Sequence, residues 1–423
     1  MRVFKFGGAS VKDADAVRNV ASIVRLFEGE KLGVVVSAMG KTTNAMERIV
    51  DALWKREEAE FKNLVEERRQ FHEAILDDLF ESKEAQIFHE ISSEFDKLSA
   101  MYESNVPDNY DFEYDQIVSL GEVISTRIVD AYLNEQGVRS RWADARQLIR
   151  TDHSYREAEV NWDKTETLFG QRFMPHFETF DVQITQGFIG HTAEGLTTTL
   201  GREGSDYTAG ILAFCCNAKD VTIWKDVPGM LNADPKWFDN TIKLDSISFK
   251  EAIELSYYGA SVIHPKTVKP LQNKQIPLFV KSFIEPEAEG TVIQSSTSND
   301  HLIPSFIFKM NQVLFSITPK DFSFLVEKNL SDIFDRLSKA NAKINLMQNS
   351  ALNFSILLDE EKVNVDEMIK LFEDAYHIKF NTGLELVTIR HYDQPTIDRV
   401  TVEKEVLLEQ KTRETARLIV KQK

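Results

Sequence analysis

The chain has 423 residues, 42% of them hydrophobic and 28% charged, enough for two or three soluble domains with sizeable cores. A formal net charge of -17 disfavours nonspecific binding to nucleic acid or to an anionic membrane, while leaving room for a local anion pocket. The start MRVFKFGGAS lacks the apolar run of a signal peptide and no stretch reaches membrane-spanning length, so a reducing cytoplasm is expected.

In chain order, RVFKF (2–6) reads as a strand ending at Gly7-Gly8, followed by a helix over about 13–27 and the continuous apolar run LGVVVSAM (32–39), which suits a buried parallel strand. Strand, helix, strand opens an α/β domain. Residues 45–104, rich in Glu, Lys, Phe and Leu, read as two or three helices forming a solvated lobe or an interface, broken at Val106-Pro107. A helix is predicted over 115–136, a return towards strand in VRSRWADARQLI, and a strand over 181–189. A helix over 206–217 and the strand DVTIWKD follow. FKEAIELSYYGA and PKTVKPLQNKQ look helical, and IPLFVKSF is a strand. The adjacent Cys215 and Cys216 sit in an apolar segment without metal-ligand spacing, as core residues or as a redox pair. His264, before a proline, reads as a capping group or as a base. The polar stretch TVIQSSTSNDHLIP (291–304) marks a boundary or a crossing loop. Beyond it, NQVLFSITP, NLSDIFDRLSKAN, AKINLMQ, LNFSILLD and a helix at about 363–376 give a complete βαββα module over 313–376, and the tail is mostly strand-like.

Three loops suit an anion. KFGGAS (5–10) follows a strand, and its glycines let backbone N–H groups come close to a phosphate, although a plain tight turn explains the pair equally well. SAMGKTTN (37–44) follows a second buried strand but is not a Walker A loop. TLGREGSDYTAG (199–210) places Arg202, able to grip a carboxylate with two parallel hydrogen bonds, just ahead of a helix. Loops of this kind behind parallel strands fit a ligand crevice at the carboxyl edge of a sheet.

KFGGAS, VVVSAMGKTTN, SLGE, GFIG, TLGREGSDYTAG, TIWKDVPGMLNADP, YYGASVIHPKT and LFSITPKDFSFL, in that order from Lys5 to about residue 330, together resemble aspartate kinase. Two departures stand out: Ala9 where the family usually has threonine, and Ser261 where it commonly has a lysine that reaches ATP phosphates. The resemblance implies an α/β amino acid kinase fold, with a parallel-rich sheet flanked by helices, over 1–295 with a helical insertion at 45–115. An ACT-like α+β regulatory region follows over 303–423, complete at 313–376 and reduced at 303–309 and 384–421. It implies transfer of the ATP γ-phosphoryl to the β-carboxylate of L-aspartate, with Mg2+ bound on the nucleotide, on the route to lysine, threonine and methionine.

Carried over residue by residue, Lys5 meets the transferring phosphoryl, with Gly7, Gly8 and Ser10 as donors around it, and Asp206 completes the catalytic floor. Ser37, Thr43, Glu122, Phe188, Arg202 and Ser205 belong to the substrate pocket, Glu122 holding the ammonium and Arg202 the β-carboxylate. Lys225, Asp226, Leu231, Lys236 and Ser261 fall on the nucleotide side, where either Lys266 or Lys225 makes up for the charge that Ser261 lacks, or nucleotide affinity is lower. Leu231 replaces a frequent tyrosine. No dedicated metal ligands are expected. A homodimer through the ACT-like modules is implied, with an amino-acid effector near the loop ITPKDFSF and the start of helix 329–340, where Asp321 or Asp332 meets its amino group. A silent amino-acid-sensing protein, or a kinase of the same fold for another small carboxylate, is the alternative; the joint presence of Lys5, Glu122, Arg202 and Asp206 argues against it. A fused homoserine dehydrogenase is not expected at this length.

Overall fold

The apolar runs at the start of the chain become neighbouring inner strands, β1 (Arg2–Phe6) and β2 (Leu32–Val36), paired in parallel from Arg2 opposite Leu32 to Phe6 opposite Val36. Helix α1 (Ala14–Arg25) joins them. Its start is set by Asp13, whose carboxylate accepts the Ala16 N–H at 2.9 Å, and its buried stripe of Val17, Val20, Ala21 and Val24 has helical spacing. The computed structural model describes residues 1–104, 108–260, 263–321 and 323–423, so the expected break at Val106-Pro107 and the position of Ser261 lie outside the described residues. The chain forms two compact units. The first comprises Met1–Met230, Lys243–Ser256 and 263–300; the second comprises Leu231–Ile242, Tyr257–Ala260 and 301–423.

In the first unit, α2 (Thr42–Trp54), α3 (Glu58–Leu79), α4 (Gln86–Ser104) and α5 (Tyr110–Glu135) precede β3 (Ser140–Ala143), α6 (Trp162–Arg172), β4 (Val182–Gln186) and the hairpin β5 (Ile189–His191) and β6 (Thr197–Thr199). Then come α7 (Gly204–Cys215), β7 (Val221–Lys225), β8 (Ser246–Ser248), α8 (Phe249–Tyr258, whose last two residues are counted in the second unit), α9 (Pro265–Lys274), β9 (Leu278–Ser282) and β10 (Thr291–Gln294). Eight strands form one sheet in the order β3-β4-β2-β1-β7-β9-β10-β8. Pairing is parallel from β3 to β9, and β10 runs antiparallel to β9. Because β1 lies between β2 and β7, the chain leaves β1 towards one side and returns on the other, the arrangement that opens a crevice at the strands' carboxyl ends. The charged helical block is not a separate solvated lobe. Phe61, Leu64, Ile75, Phe95 and Leu98 of α3 and α4 are buried in one cluster with Phe4, Val17 and Val34, so its apolar stripe is part of the main core.

His264 proves to be a cap, its Nδ1 accepting the Lys266 N–H at 3.1 Å at the start of α9. Cys215 and Cys216 are buried, free thiols; burial pushes Cys216 up to about 12 and Cys215 higher, which leaves both protonated and inert at neutral pH. β10 falls within the polar stretch that the sequence reading took for a boundary.

The second unit contains β11 (Ser305–Pro319), α10 (Glu327–Lys339), β12 (Ile344–Asn349), β13 (Phe354–Asp359), α11 (Val365–Phe372), β14 (Tyr376–Arg390), α12 (Gln394–Thr401), β15 (Lys404–Lys411) and β16 (Thr415–Gln422). Its six strands are antiparallel in the order β12-β13-β11-β14-β16-β15. β11 and β14 are long enough to serve twice. Gln312–Ile317 pairs with β13, whereas Ser305–Lys309 pairs with the half of β14 that carries β16 on its other side. The two halves meet at a bulge next to Asn311, which sits at φ +51°. The tail strands therefore complete a sheet within this chain. The tail also contains α12, which the strand-like reading passed over. Asp393 caps it, accepting the Thr396 N–H at 2.9 Å, and a proline stands in its first turn.

Candidate active site

The loops after β1 and β2 are locked together by close backbone approach. A Cβ on Gly8 would lie 2.7 Å from the Gly40 carbonyl oxygen and 2.8 Å from that of Ala38, so glycine is needed there, and the Gly40 N–H donates to the Gly8 carbonyl at 3.0 Å. Helix α5 supports the second loop, the Ser125 hydroxyl donating to the Ser37 carbonyl at 2.7 Å. The third loop joins β6 to α7. A Cβ on Gly204 would meet the Phe188 ring at 2.6 Å, and the Phe188 N–H donates to the Thr208 hydroxyl at 3.0 Å.

Asp115 of α5, fully buried, ties down the base of this loop. It accepts the N–H and hydroxyl of Thr199 at 2.8 and 2.7 Å and the Arg156 N–H at 3.1 Å. Burial pushes its carboxyl up to about 6 against the pull of those donors. Three side-chain-bearing residues at this place have left-handed backbone: Arg156 at φ +68°, Phe188 at +69° and Glu203 at +53°. Each such residue costs on the order of 1–3 kcal/mol, and residues of this kind gather where the surrounding structure holds a working geometry.

Between the loops lies a cleft of about 750 Å³. Lys5, at the end of β1, places its ammonium 2.6 Å from Asp206 Oδ1, with both side chains largely buried, and Lys225, at the end of β7, lies 3.8 Å from Asp206 Oδ2. One carboxylate in the first turn of α7 thus stands between two ammonium groups. Glu122 is buried in the wall. Desolvation pushes its carboxyl up to about 8, opposed by backbone N–H groups including that of Ala38, and its Oε2 has no hydrogen-bond partner among the described residues. Arg202 lines the cleft, is exposed, and has no ion-pair partner among the described residues. Among the described residues the cleft thus combines paired cations, a buried acid with one oxygen that has no hydrogen-bond partner, and a guanidinium without an ion-pair partner. A zwitterionic carboxylic acid and a polyphosphate are complementary to that set.

Ten of the residues singled out in the sequence line this cleft: Lys5, Gly8, Ser37, Thr43, Glu122, Phe188, Arg202, Ser205, Asp206 and Lys225. Gly7 adjoins it, a Cβ there lying 3.3 Å from Lys5 Nζ, and Ser10 is buried in the following turn with its N–H on the Gly7 carbonyl at 2.9 Å. Asp226 is exposed at the end of β7 and is not among the lining residues; Leu231 and Lys236 fall in the second unit. The sequence reading missed Asp111, Tyr114, Arg156 and Glu157, which also line the cleft. Asp111 is three helical turns before Glu122 on α5, a signal that periodicity contains. Arg156 and Glu157 carry none, because a contact of Asp115 with a residue 41 positions away brings them in. Among the described residues, no three or more His, Cys, Asp or Glu side chains are grouped to hold a metal ion.

Residues 1–282 match the model of the amino acid kinase family. The chain is 34% identical over 358 residues to the lysine-sensitive aspartokinase 3 of Escherichia coli, covering 84% of this chain and 78% of that protein. The chain belongs to the aspartokinases of the amino acid kinase family. Solved aspartokinases agree in fold. E. coli aspartokinase III in complex with aspartate and ADP superposes with a TM-score of 0.81 at 28% identity, over 99% of this chain and 96% of that one. Its complex with lysine and aspartate gives 0.84 at 28% identity, over 99% and 95%. The residues that line the cleft all fall within 1–282, the segment that matches the family. Among the described residues no helix is long and apolar enough to cross a membrane.

Proposed function

We propose that this aspartokinase transfers the γ-phosphoryl group of ATP to the β-carboxylate of L-aspartate in this cleft, giving 4-phospho-L-aspartate and ADP. The observation that carries the reading is the charge layout: Lys5 and Lys225 share Asp206 at one place, while among the described residues one Glu122 oxygen has no hydrogen-bond partner and Arg202 no ion-pair partner. The E. coli complex with aspartate and ADP supports the choice of both substrates. An ATP-dependent hydroxamate assay with aspartate tests it; absence of acyl phosphate from aspartate would overturn it.

The acceptor carboxylate is ionised at neutral pH, so no general base is required, and catalysis is positioning plus charge stabilisation. Lys5 faces the charge that spreads over the transferring group, with Gly7, Gly8 and Ser10 around it, and Asp206 holds Lys5 in place until phosphate oxygens compete for it. Arg202 grips the β-carboxylate, Glu122 takes the ammonium, and Ser37, Thr43, Phe188 and Ser205 shape the pocket between them. Lys225 and Asp226 lie towards the nucleotide. Magnesium bound with the nucleotide would spread the charge of its phosphates, with no dedicated protein ligand grouped for it among the described residues. The product leads towards lysine, threonine and methionine, and a cytoplasmic location fits.

Glu122 makes the reading sensitive to pH. Desolvation pushes its carboxyl up to about 8, and an ammonium group needs the carboxylate form. Apparent affinity scales with the competent fraction, so KM for aspartate is expected to fall about tenfold per pH unit from 6 towards 8 and to level off above. In Glu122→Gln, KM is expected to be high and flat over that range. A wild-type KM independent of pH between 6 and 8 would count against this role.

The second unit supports a regulatory homodimer. Phe324 and Val326 are exposed, and Leu325 between them donates its N–H to the Ala351 carbonyl at 2.8 Å in the connection from β12 to β13, where Leu352 is exposed; Met347 of the edge strand β12 is exposed as well. Of the acids considered for an effector amino group, Asp332 accepts from Arg336 and Tyr376, while exposed Asp321 accepts the Ser323 N–H at 3.0 Å. Light scattering is expected to give the mass of two chains, with calorimetry against lysine, threonine and methionine reading the effector; the mass of one active chain would end the dimer proposal.

A further inference from the structure

Two lysines are candidates for the charge that Ser261 lacks, and the fold puts them in different places. Lys266, on α9, is exposed and lines a second groove of about 630 Å³ with Trp162, Tyr207 and Phe214. It is not among the residues that line the cleft, whereas Lys225 is; among the described residues, Lys5 and Lys225 are the lysines that line it. Lys225 ends β7, the strand beside β1. Ile223 is the parallel partner of Lys5, so Lys225, two residues further on, shares the face of the sheet that Lys5 occupies. On the other face Phe6 and buried Trp224 stack with ring centroids 6.0 Å apart. The Lys225 carbonyl accepts the Phe283 N–H at 2.9 Å. The end of the strand is thus held on both sides of the lysine, and its ammonium reaches the cleft from a fixed root.

Lys5 and Lys225 approach the two oxygens of one carboxylate, at 2.6 Å from Asp206 Oδ1 and 3.8 Å from Oδ2. The Asp206 side chain is 4% exposed and that of Lys225 24%. Two ammonium groups against one buried carboxylate leave a positive charge over, which suits a polyphosphate. The two contacts are unequal. Lys5 lies at hydrogen-bonding distance from the carboxylate and Lys225 lies beyond it. A lysine that served only to neutralise Asp206 would duplicate Lys5. In phosphoryl transfer the bond from the γ-phosphorus to the β,γ-bridging oxygen breaks, its electron pair going to that oxygen, while a carboxylate oxygen of the acceptor bonds to the phosphorus. Negative charge grows on the leaving β-phosphate as well as on the transferring group, and each is stabilised by a fixed cation. We propose that Lys225 is a catalytic residue, its ammonium facing the β-phosphate that departs with ADP while Lys5 faces the γ-phosphoryl, so that β7 supplies the charge missing at Ser261. The inference rests on the reading of the cleft as an aspartate kinase site. Asp206 is the brace that lets two like charges stand side by side before the nucleotide binds.

Lys225→Met keeps the length of the side chain and removes its charge. Its kcat is expected to fall about a hundredfold, as when one fixed charge is taken from a transition state. KM for aspartate is expected to stay within about threefold, and the fold to survive, since Lys5 still pairs with Asp206. Lys225→Gln, polar and uncharged, is the second neutral variant and is expected to show the same losses. In calorimetry ADP, which has the β-phosphate, is expected to bind Lys225→Met about tenfold more weakly than wild type, whereas AMP, which lacks it, changes less than about twofold. Adding Ser261→Lys to Lys225→Met is expected to restore about tenfold in kcat. A kcat within about threefold of wild type in folded Lys225→Met and Lys225→Gln enzymes would make Lys225 a support for Asp206 and overturn the proposal. Equal weakening of ADP and AMP would overturn the assignment to the β-phosphate, and no gain from Ser261→Lys would overturn the link to that position. If wild type makes no acyl phosphate from aspartate, the reading of the cleft fails; if wild type is active and both neutral variants match it, this inference alone fails.

Discussion

Lys5→Ala is expected to lower kcat by roughly two to three orders of magnitude, the usual effect of removing one preorganised charge that faces a transition state, while KM for aspartate changes by a few-fold. The asymmetry follows from where the lysine stands. It is at the carboxyl end of β1, a central strand in which Val3, Phe4 and Phe6 are buried, and its ammonium lies 2.6 Å from Asp206. An interaction realised mainly as charge develops raises kcat more than it tightens ground-state binding. Removing Lys5 also leaves Asp206 with Lys225 at 3.8 Å, so part of the loss arises from an under-compensated buried carboxylate. Lys5→Arg separates the contributions, since it restores charge without the compact ammonium. A folded Lys5→Ala enzyme with near-normal kcat would remove Lys5 from the chemistry.

Arg202→Ala is expected to raise KM for aspartate by a factor corresponding to roughly 2–5 kcal/mol, as for a hydrogen-bonded charge partner lost from a binding site, with KM for ATP little changed. Arg202 is exposed and unpaired among the described residues, so its removal breaks no internal ion pair described here, and the effect belongs to the ligand. The loop itself is held by Thr199 on Asp115 and by the close fit of Gly204 against Phe188, neither of which involves the guanidinium. Equal loss for both substrates would instead point to a collapsed loop. Melting temperature, measured beside the kinetics, separates these outcomes.

Much of this site was legible in the sequence because its parts sit next to strong punctuation. Lys5 precedes Gly7-Gly8, Ser37 ends an apolar run, and Arg202 lies between glycines ahead of a helix. What was not legible depends on contacts between distant segments. Nothing local marks Arg156, whose position follows from Asp115 on another element. The helical block was misjudged for a related reason. Its charge made it look like a lobe, but a single apolar stripe every three or four residues is enough to bury a helix on one side, and Phe61 and Phe95 do so. The short tail helix escaped because eight residues contain little periodicity, although Asp393 and its following proline are a start signal.

The two long strands of the second unit have a consequence for its cooperativity. β11 and β14 run unbroken past the bulge, so the half that contains α10 and α11 and the half that contains α12 share their central backbone hydrogen bonds. Neither half owns a complete set of strands. Loss of the tail strand β16 would leave Glu385–Arg390 of β14 without its neighbour, and the penalty would pass along the same strand into the segment that pairs with Gln312–Pro319. The two halves therefore draw on one stability and come apart as a single foldon. A destabilising change in the last residues of the chain acts as a change to the whole sheet.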